Sequence, residues 1–132
     1  MHLDIKGEAE MRPSERVKCP DFPCQDVNKK SYIIPNVEVD VNKITVFMIS
    51  EAPPDNLGDY FYAPKNPFYA GTTVQAFNDA GFNVASVKDV LSLCVYVTTA
   101  IKCGKTAYSI AAETIDNCSI RILENELSLF RS

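Results

Sequence analysis

The sequence predicts an α/β domain with three layers, α/β/α, built on a small parallel sheet. Three observations predict it. Two short runs, residues 44–50 and 94–101, are nearly continuous in apolar and β-branched side chains, the composition of strands covered on both faces. Each run is followed by apolar residues at helical spacing, so the order reads β-α-β-α, which calls for parallel strands joined by right-handed crossovers. A length of 132 residues with 46% hydrophobic and 23% charged side chains is that of one globular domain with a core of its own.

Residues 1–30 have no hydrophobic periodicity and carry Pro13, Pro20 and Pro23. They read as a polar arm whose order depends on something it binds; residues 31–132 form the domain proper. Around Pro35 the apolar positions thin to Val37 and Val39, which suits a short edge strand tolerant of proline. Residues 44–50 are the central strand. They run into Glu51-Ala52-Pro53-Pro54 and a long loop to Gly71, and a stretch of this length without structure of its own is usually functional. Its Tyr60, Phe61, Tyr62 and Tyr69 read as lid packing. Thr72 or Thr73 caps a helix through Val74, Phe77 and Ala80, and Gly81 supplies its left-handed stop. A short helical turn at 86–91 precedes the second strand. Residues 106–130 then form a long helix with Ile110, Ile115, Ile122, Leu123, Leu127 and Phe130 on its apolar stripe. Two central strands are few for an open sheet, and the last helix has no strand to return to, so the domain reads as incomplete.

Thirteen basic against 17 acidic side chains give a net charge of −4, which counts against a partner held mainly by counterion release. No apolar stretch approaches the ~20 residues of a membrane span, and residues 1–10 are polar where a leader would be apolar. A cytoplasmic protein without a membrane partner is expected. Five cysteines in a reducing compartment are more often buried or metal-bound than paired, and Cys94, inside an apolar run, reads as a core thiol.

Open parallel sheets bind ligands beyond the carboxyl ends of their strands. Here those ends carry Glu51-Ala52-Pro53-Pro54 and Thr98-Thr99-Ala100-Ile101-Lys102-Cys103. With Asn66-Pro67-Phe68-Tyr69-Ala70-Gly71 between them and Cys118 ahead of Leu123 and Glu126-Leu127, this ordered set resembles the uracil-DNA glycosylase superfamily, above all its iron-sulfur branch. The resemblance covers about residues 19–130, the first two thirds of such a domain. It implies a truncated glycosylase-like fold and hydrolysis of the N-glycosidic bond of uracil, or a related damaged base, in DNA. Glu51 is then the catalytic carboxylate, stabilising charge that develops on the sugar and positioning water. Phe68, Thr99 and Ala52 are the base contacts, and flipping enzymes need an aromatic platform such as Phe68 to offset unstacking. Lys65, Lys102 and Lys105 are placed to meet backbone phosphate.

Cys19, Cys24, Cys103 and Cys118 are the implied metal ligands, tying the arm to the second strand and its helix. Four thiolates suit a 4Fe-4S cluster or tetrahedral zinc; the resemblance favours the cluster, and four unrelated buried thiols are the remaining possibility. The sequence departs from the family pattern at Ser50 and Pro54, where glycines are usual, at Thr99, where asparagine is usual, and in the four-residue spacing of the first cysteine pair. Its single histidine is His2, so no later histidine loop is present and residues 1–132 alone are expected to excise uracil poorly. A non-catalytic metal-binding domain that contacts nucleic acid or protein on the same scaffold is the alternative. A small-molecule site is disfavoured because no glycine-rich phosphate cradle is present. Glu51, Phe68 and Thr99 are expected to share one cleft.

Overall fold

A computed structural model describes residues 10–21, 24–54, 56–63, 68–106 and 110–130, with the main chain alone at 59 and 68–70. In chain order the elements are β1 (Glu10–Met11), α1 (Pro13–Arg16), β2 (Val27–Asn28), β3 (Val39–Asp40), β4 (Val46–Ser50), α2 (Phe68–Asp79), α3 (Val87–Ser92), β5 (Val95–Thr99) and β6 (Gly104–Lys105). The chain then continues as one helix: α4 (Ala112–Ile115), a π-helical stretch (Asp116–Leu123) and α5 (Glu124–Ser128). The fold is mixed α/β. Three two-stranded sheets form among the described residues: β1 with β3 and β2 with β6, both antiparallel, and β4 with β5, parallel in the register Val46–Val95 to Ser50–Thr99.

The parallel pair is the one the apolar runs predict, but its two strands are covered unequally. All five residues of β5 are buried, whereas all five of β4 are exposed, Val46 at 50% and Ile49 at 47%. The expectation of a strand covered on both faces therefore fails for β4. The cause is local: among the described residues β4 has one strand neighbour, and of its side chains Phe47 finds ring partners, in Tyr96 and Phe130. On its other edge β5 is met by a side chain. The Tyr62 hydroxyl donates to the Val97 carbonyl at 2.6 Å and accepts from the Val97 N–H at 2.9 Å, which pairs both main-chain groups as a strand would. Tyr60 and Phe61 are buried with Val84, Val87, Val90, Val95 and Val97, so the aromatic loop closes one face of β5.

Helix α2 begins at Phe68, ahead of the Thr72 and Thr73 expected to cap it. It ends as the glycine signal predicts. Gly81 has φ 104°, its N–H bonds to the Asn78 carbonyl and the Phe82 N–H to that of Phe77, the paired pattern of a Schellman stop. Helix α3 is held at its start by reciprocal caps: the Ser86 hydroxyl accepts from the Asp89 N–H and the Asp89 carboxylate from the Ala85 N–H, a capping-box arrangement. Cys94, expected in the core, is half-buried and left-handed at φ 71°, where its carbonyl accepts from both Thr45 and Val46.

The arm is docked. Val17 and Val27 are buried with Ile34, Ile101, Cys103, Cys118 and Ile122, and Ser14 N–H donates to the Pro35 carbonyl. The carboxyl-terminal helix departs from its predicted stripe. Its buried residues are Thr114, Cys118, Ile122, Leu123 and Glu126, while Ile115 is 42% exposed. In a regular α-helix residues four apart drift by about 40° per step, which would carry positions 114 and 126 far out of line. The π-helical stretch, with its wider turn, holds 114, 118, 122 and 126 on one face.

Candidate metal centre and strand-end site

Cys19, Cys24, Cys103 and Cys118 line one cavity of about 210 Å³, together with Asp21, Val27, Lys29 and Tyr32. Three separate parts of the chain deliver them. Between the first pair, Asp21 is left-handed, φ 66°, a conformation that aspartate tolerates. Lys29 pairs with Asp21 at 3.8 Å on the exposed rim. Tyr32 accepts the Cys19 N–H on its hydroxyl at 2.9 Å, which fixes the first thiol against the cavity wall. Cys103 follows β5 through the turn into β6, and β6 pairs with β2 beside Cys24.

Cys118 arrives on the π-helical stretch, whose parent helix is positioned from the arm. Asp26 Oδ2 accepts the Ala111 N–H and Oδ1 accepts the Thr114 hydroxyl, both at 2.6 Å. A residue two places beyond Cys24 thus caps the helix that carries Cys118. The Ala111 N–H first and the Thr114 hydroxyl second hold the Asp26 carboxyl below its ordinary value, as hydrogen bonds to the charged form do.

Burial pushes the Cys103 thiol up to about 12, and the nearby Cys118, Cys19 and Cys24 push in the same direction. Cys118 is raised chiefly by burial, with the Lys102 main-chain N–H working against it. As free thiols these groups stay protonated at neutral pH. Binding a metal requires the thiolates, so a cation in the cavity would have to displace their protons. The donor set fits a thiolate-bound centre. Among the described residues no group of three or more His, Cys, Asp or Glu closes on a single ion; the four thiols surround a hollow. A zinc held at about 2.3 Å from each sulfur draws the four together, whereas a multi-atom cluster occupies a hollow of this kind.

The strand-end residues fare differently. Glu51 follows β4, with its carbonyl accepting the Ile101 N–H at 2.8 Å and that of Ser50 accepting the Ala100 N–H, so the two strand ends stay zipped one residue beyond the sheet. The Glu51 side chain is 63% exposed and its Oε1 pairs with Lys105 Nζ at 2.7 Å. Thr99 lies at the same end of the sheet but is wholly buried, and its hydroxyl donates to the Ile101 carbonyl at 2.6 Å. It presents no free donor to a base edge. Ala52 is half-buried against the apolar cluster around Cys103.

Lys102 corrects a sequence expectation outright. Placed on the surface for phosphate, it is fully buried: Nζ is in an ion pair with Glu126 Oε1, donates to Thr98 Oγ1 at 3.0 Å and reaches the Thr99 carbonyl. The partner carboxylate has no exposure either, and its Oε2 accepts from the Tyr96 hydroxyl and from Thr98 Oγ1 at 2.7 Å. Burial lowers the Lys102 pKa and Glu126 opposes it; in Tyr96, burial and then the Glu126 charge hold the hydroxyl protonated. Tyr96, Tyr32 and Asp26 were given no role by sequence reasoning, and Glu126 entered only as part of the Glu126-Leu127 element of the resemblance. The signal for its inward position was an acidic side chain in register, at four-residue spacing, with Cys118 and Ile122.

Lys65 and His2 lie outside the described residues, as does the side chain of Phe68; Phe68 opens α2. The expected cleft of Glu51, Phe68 and Thr99 is thus limited to Glu51 beside Lys105. No helix among the described residues is long and apolar enough to cross a membrane. Comparison with protein-family models, with curated proteins and with solved structures finds no match.

Proposed function

We propose that this chain is an iron-sulfur-bearing α/β domain of the uracil-DNA glycosylase kind, which binds DNA at the carboxyl ends of β4 and β5 and acts on a base there. One observation carries the reading. Four cysteines from three separate parts of the chain line one cavity, and they are the four that the family resemblance groups, while Cys94 stays at the opposite, amino end of β5. A 4Fe-4S cluster, when bound, supplies four iron-thiolate cross-links joining the arm, the turn after β5 and the carboxyl-terminal helix. Everything else falls to the chain's own side chains. Glu51, with Oε2 outside its ion pair, is the carboxylate assigned to offset positive charge on the deoxyribose as the glycosidic bond breaks. Lys105, a quarter exposed, is the phosphate contact; a phosphate that takes Lys105 releases the carboxylate towards the sugar.

A second reading is favoured by a specific finding: Thr99 and Lys102, two of the expected contacts, are committed to the interior. On that reading the domain binds metal and nucleic acid or protein without catalysis. Excision from uracil-containing single-stranded and U·G oligonucleotides by the iron-loaded chain separates the two, with Glu51→Gln as control. The glycosylase reading expects binding that weakens with salt and slow excision lost in the control. Binding with no excision leaves the non-catalytic domain, and no binding at low salt removes DNA altogether.

A further inference from the structure

The interior charge pair is unlike anything the proposed chemistry uses. A lysine and a glutamate with no exposure at all each carry a desolvation penalty that only a complete set of partners offsets. Here the set is complete. Lys102 Nζ is shared among Glu126, Thr98 Oγ1 and the Thr99 carbonyl, and the Glu126 carboxylate among Lys102, Thr98 and Tyr96.

The position of the pair in the chain matters as much as its bonding. Lys102 immediately precedes Cys103, its main-chain N–H faces the Cys118 thiol, and its carbonyl accepts the Ile33 N–H at 2.8 Å, next to the cavity-lining Tyr32. Glu126 stands on the same helical face as Cys118, two turns on. One ammonium therefore touches the end of β5 while the main chain of the same residue leads directly into Cys103 and turns its N–H to the Cys118 thiol. We propose that Lys102 and Glu126 are a positioning pair that couples the four-thiol cavity to the carboxyl end of β5. When the cavity is closed, Nζ is seated on Glu126 and the Thr99 carbonyl, and the strand end from Thr98 to Ile101 is held. When Cys103 and Cys118 are forced apart, the helix moves with Glu126, the ammonium loses its seat, and the strand end loosens. This rests on reading the cavity as a binding centre, but the coupling belongs to the polypeptide and is measurable without metal.

The test is amide hydrogen exchange on the full chain in a Cys94→Ala background, with the four cavity thiols free and then capped by a methylthio group from a small thiosulfonate. The reporters are the Ala100 and Ile101 amides, which bond to the Ser50 and Glu51 carbonyls. Capping is expected to speed their exchange about tenfold or more, together with that of residues 24–33, while Val90 and Leu93 in and after α3 stay unchanged. In Lys102→Met/Glu126→Met, an apolar replacement of the kind that buried pairs tolerate, capping should still loosen 24–33 but leave Ala100 and Ile101 alone. Strand-end amides that ignore capping in the parent overturn the inference, and so does an equal response in the double variant. If the double variant does not fold, the parent comparison still decides the first point and Glu126→Gln replaces it for the second. Iron analysis on the same preparations keeps the two claims apart: coupled exchange in a chain that takes up no iron removes the cluster and keeps the coupling, and iron uptake with an unmoved strand end does the reverse.

Discussion

The thiol cavity and the strand-end site draw on the same few residues, 99–105, and use them in opposite ways. Cys103 turns in to join three other thiols around one cavity, whereas Lys105 turns out to pair with an exposed Glu51. Between them Thr99 and Lys102 are folded into the interior. A cavity lined by buried and half-buried thiols is fixed by the packing around it, and this one has that support from Tyr32, Asp26 and the π-helical stretch. In the strand-end pair Glu51 is mostly exposed, while Lys105 is a quarter exposed. This stretch of chain is first a structural joint and only secondarily a contact surface.

Breaking the interior side of the joint should have the largest effect. Glu126→Ala leaves an uncompensated buried ammonium and should lower stability by about 3–5 kcal/mol, read as a shift in denaturant midpoint; Lys102→Met/Glu126→Met should recover most of that loss. An unchanged midpoint in the single variant would mean that water reaches the pair. Asp26→Ala comes next. It removes two hydrogen bonds from the start of the carboxyl-terminal helix, at a cost of about 1–2 kcal/mol, and should also weaken metal retention, because the capped helix carries Cys118. A variant that loses stability but retains metal as the parent does separates the cap from the cavity. The exposed side should respond least: Lys105→Ala should change stability by no more than about 1 kcal/mol, as surface pairs do, while weakening binding of a short uracil-containing oligonucleotide. A large stability loss there would erase the contrast between the two regions.

What was legible in the sequence follows the same division. The apolar runs at 44–50 and 94–101 are the parallel pair, and Gly81 stops α2, because these signals are local and steric. The grouping of the four cysteines came from the family resemblance, and the structure lines one cavity with all four. Residue fates that depend on one distant partner were not. Lys102 reads as a surface cation until Glu126, 24 residues on, is known to face it. Ile115 reads as core, but the inward face of this helix runs through 114, 118, 122 and 126 and leaves it exposed, and no composition rule announces the π-helical stretch that follows it. The covering of β4 was misjudged for a related reason: an apolar run reports the strand's preference for cover, and the neighbours that provide cover are named elsewhere.

Cys19, Cys24, Cys103 and Cys118 are proposed to hold one iron-sulfur cluster. Its direct measurement is iron, acid-labile sulfide and zinc per chain after anaerobic preparation, in the parent and in Cys103→Ala, Cys118→Ala and Cys94→Ala. The prediction is four irons and four sulfides per chain, lost in the first two variants and kept in the third. One zinc per chain in place of iron, or iron that survives Cys103→Ala and Cys118→Ala, would contradict it.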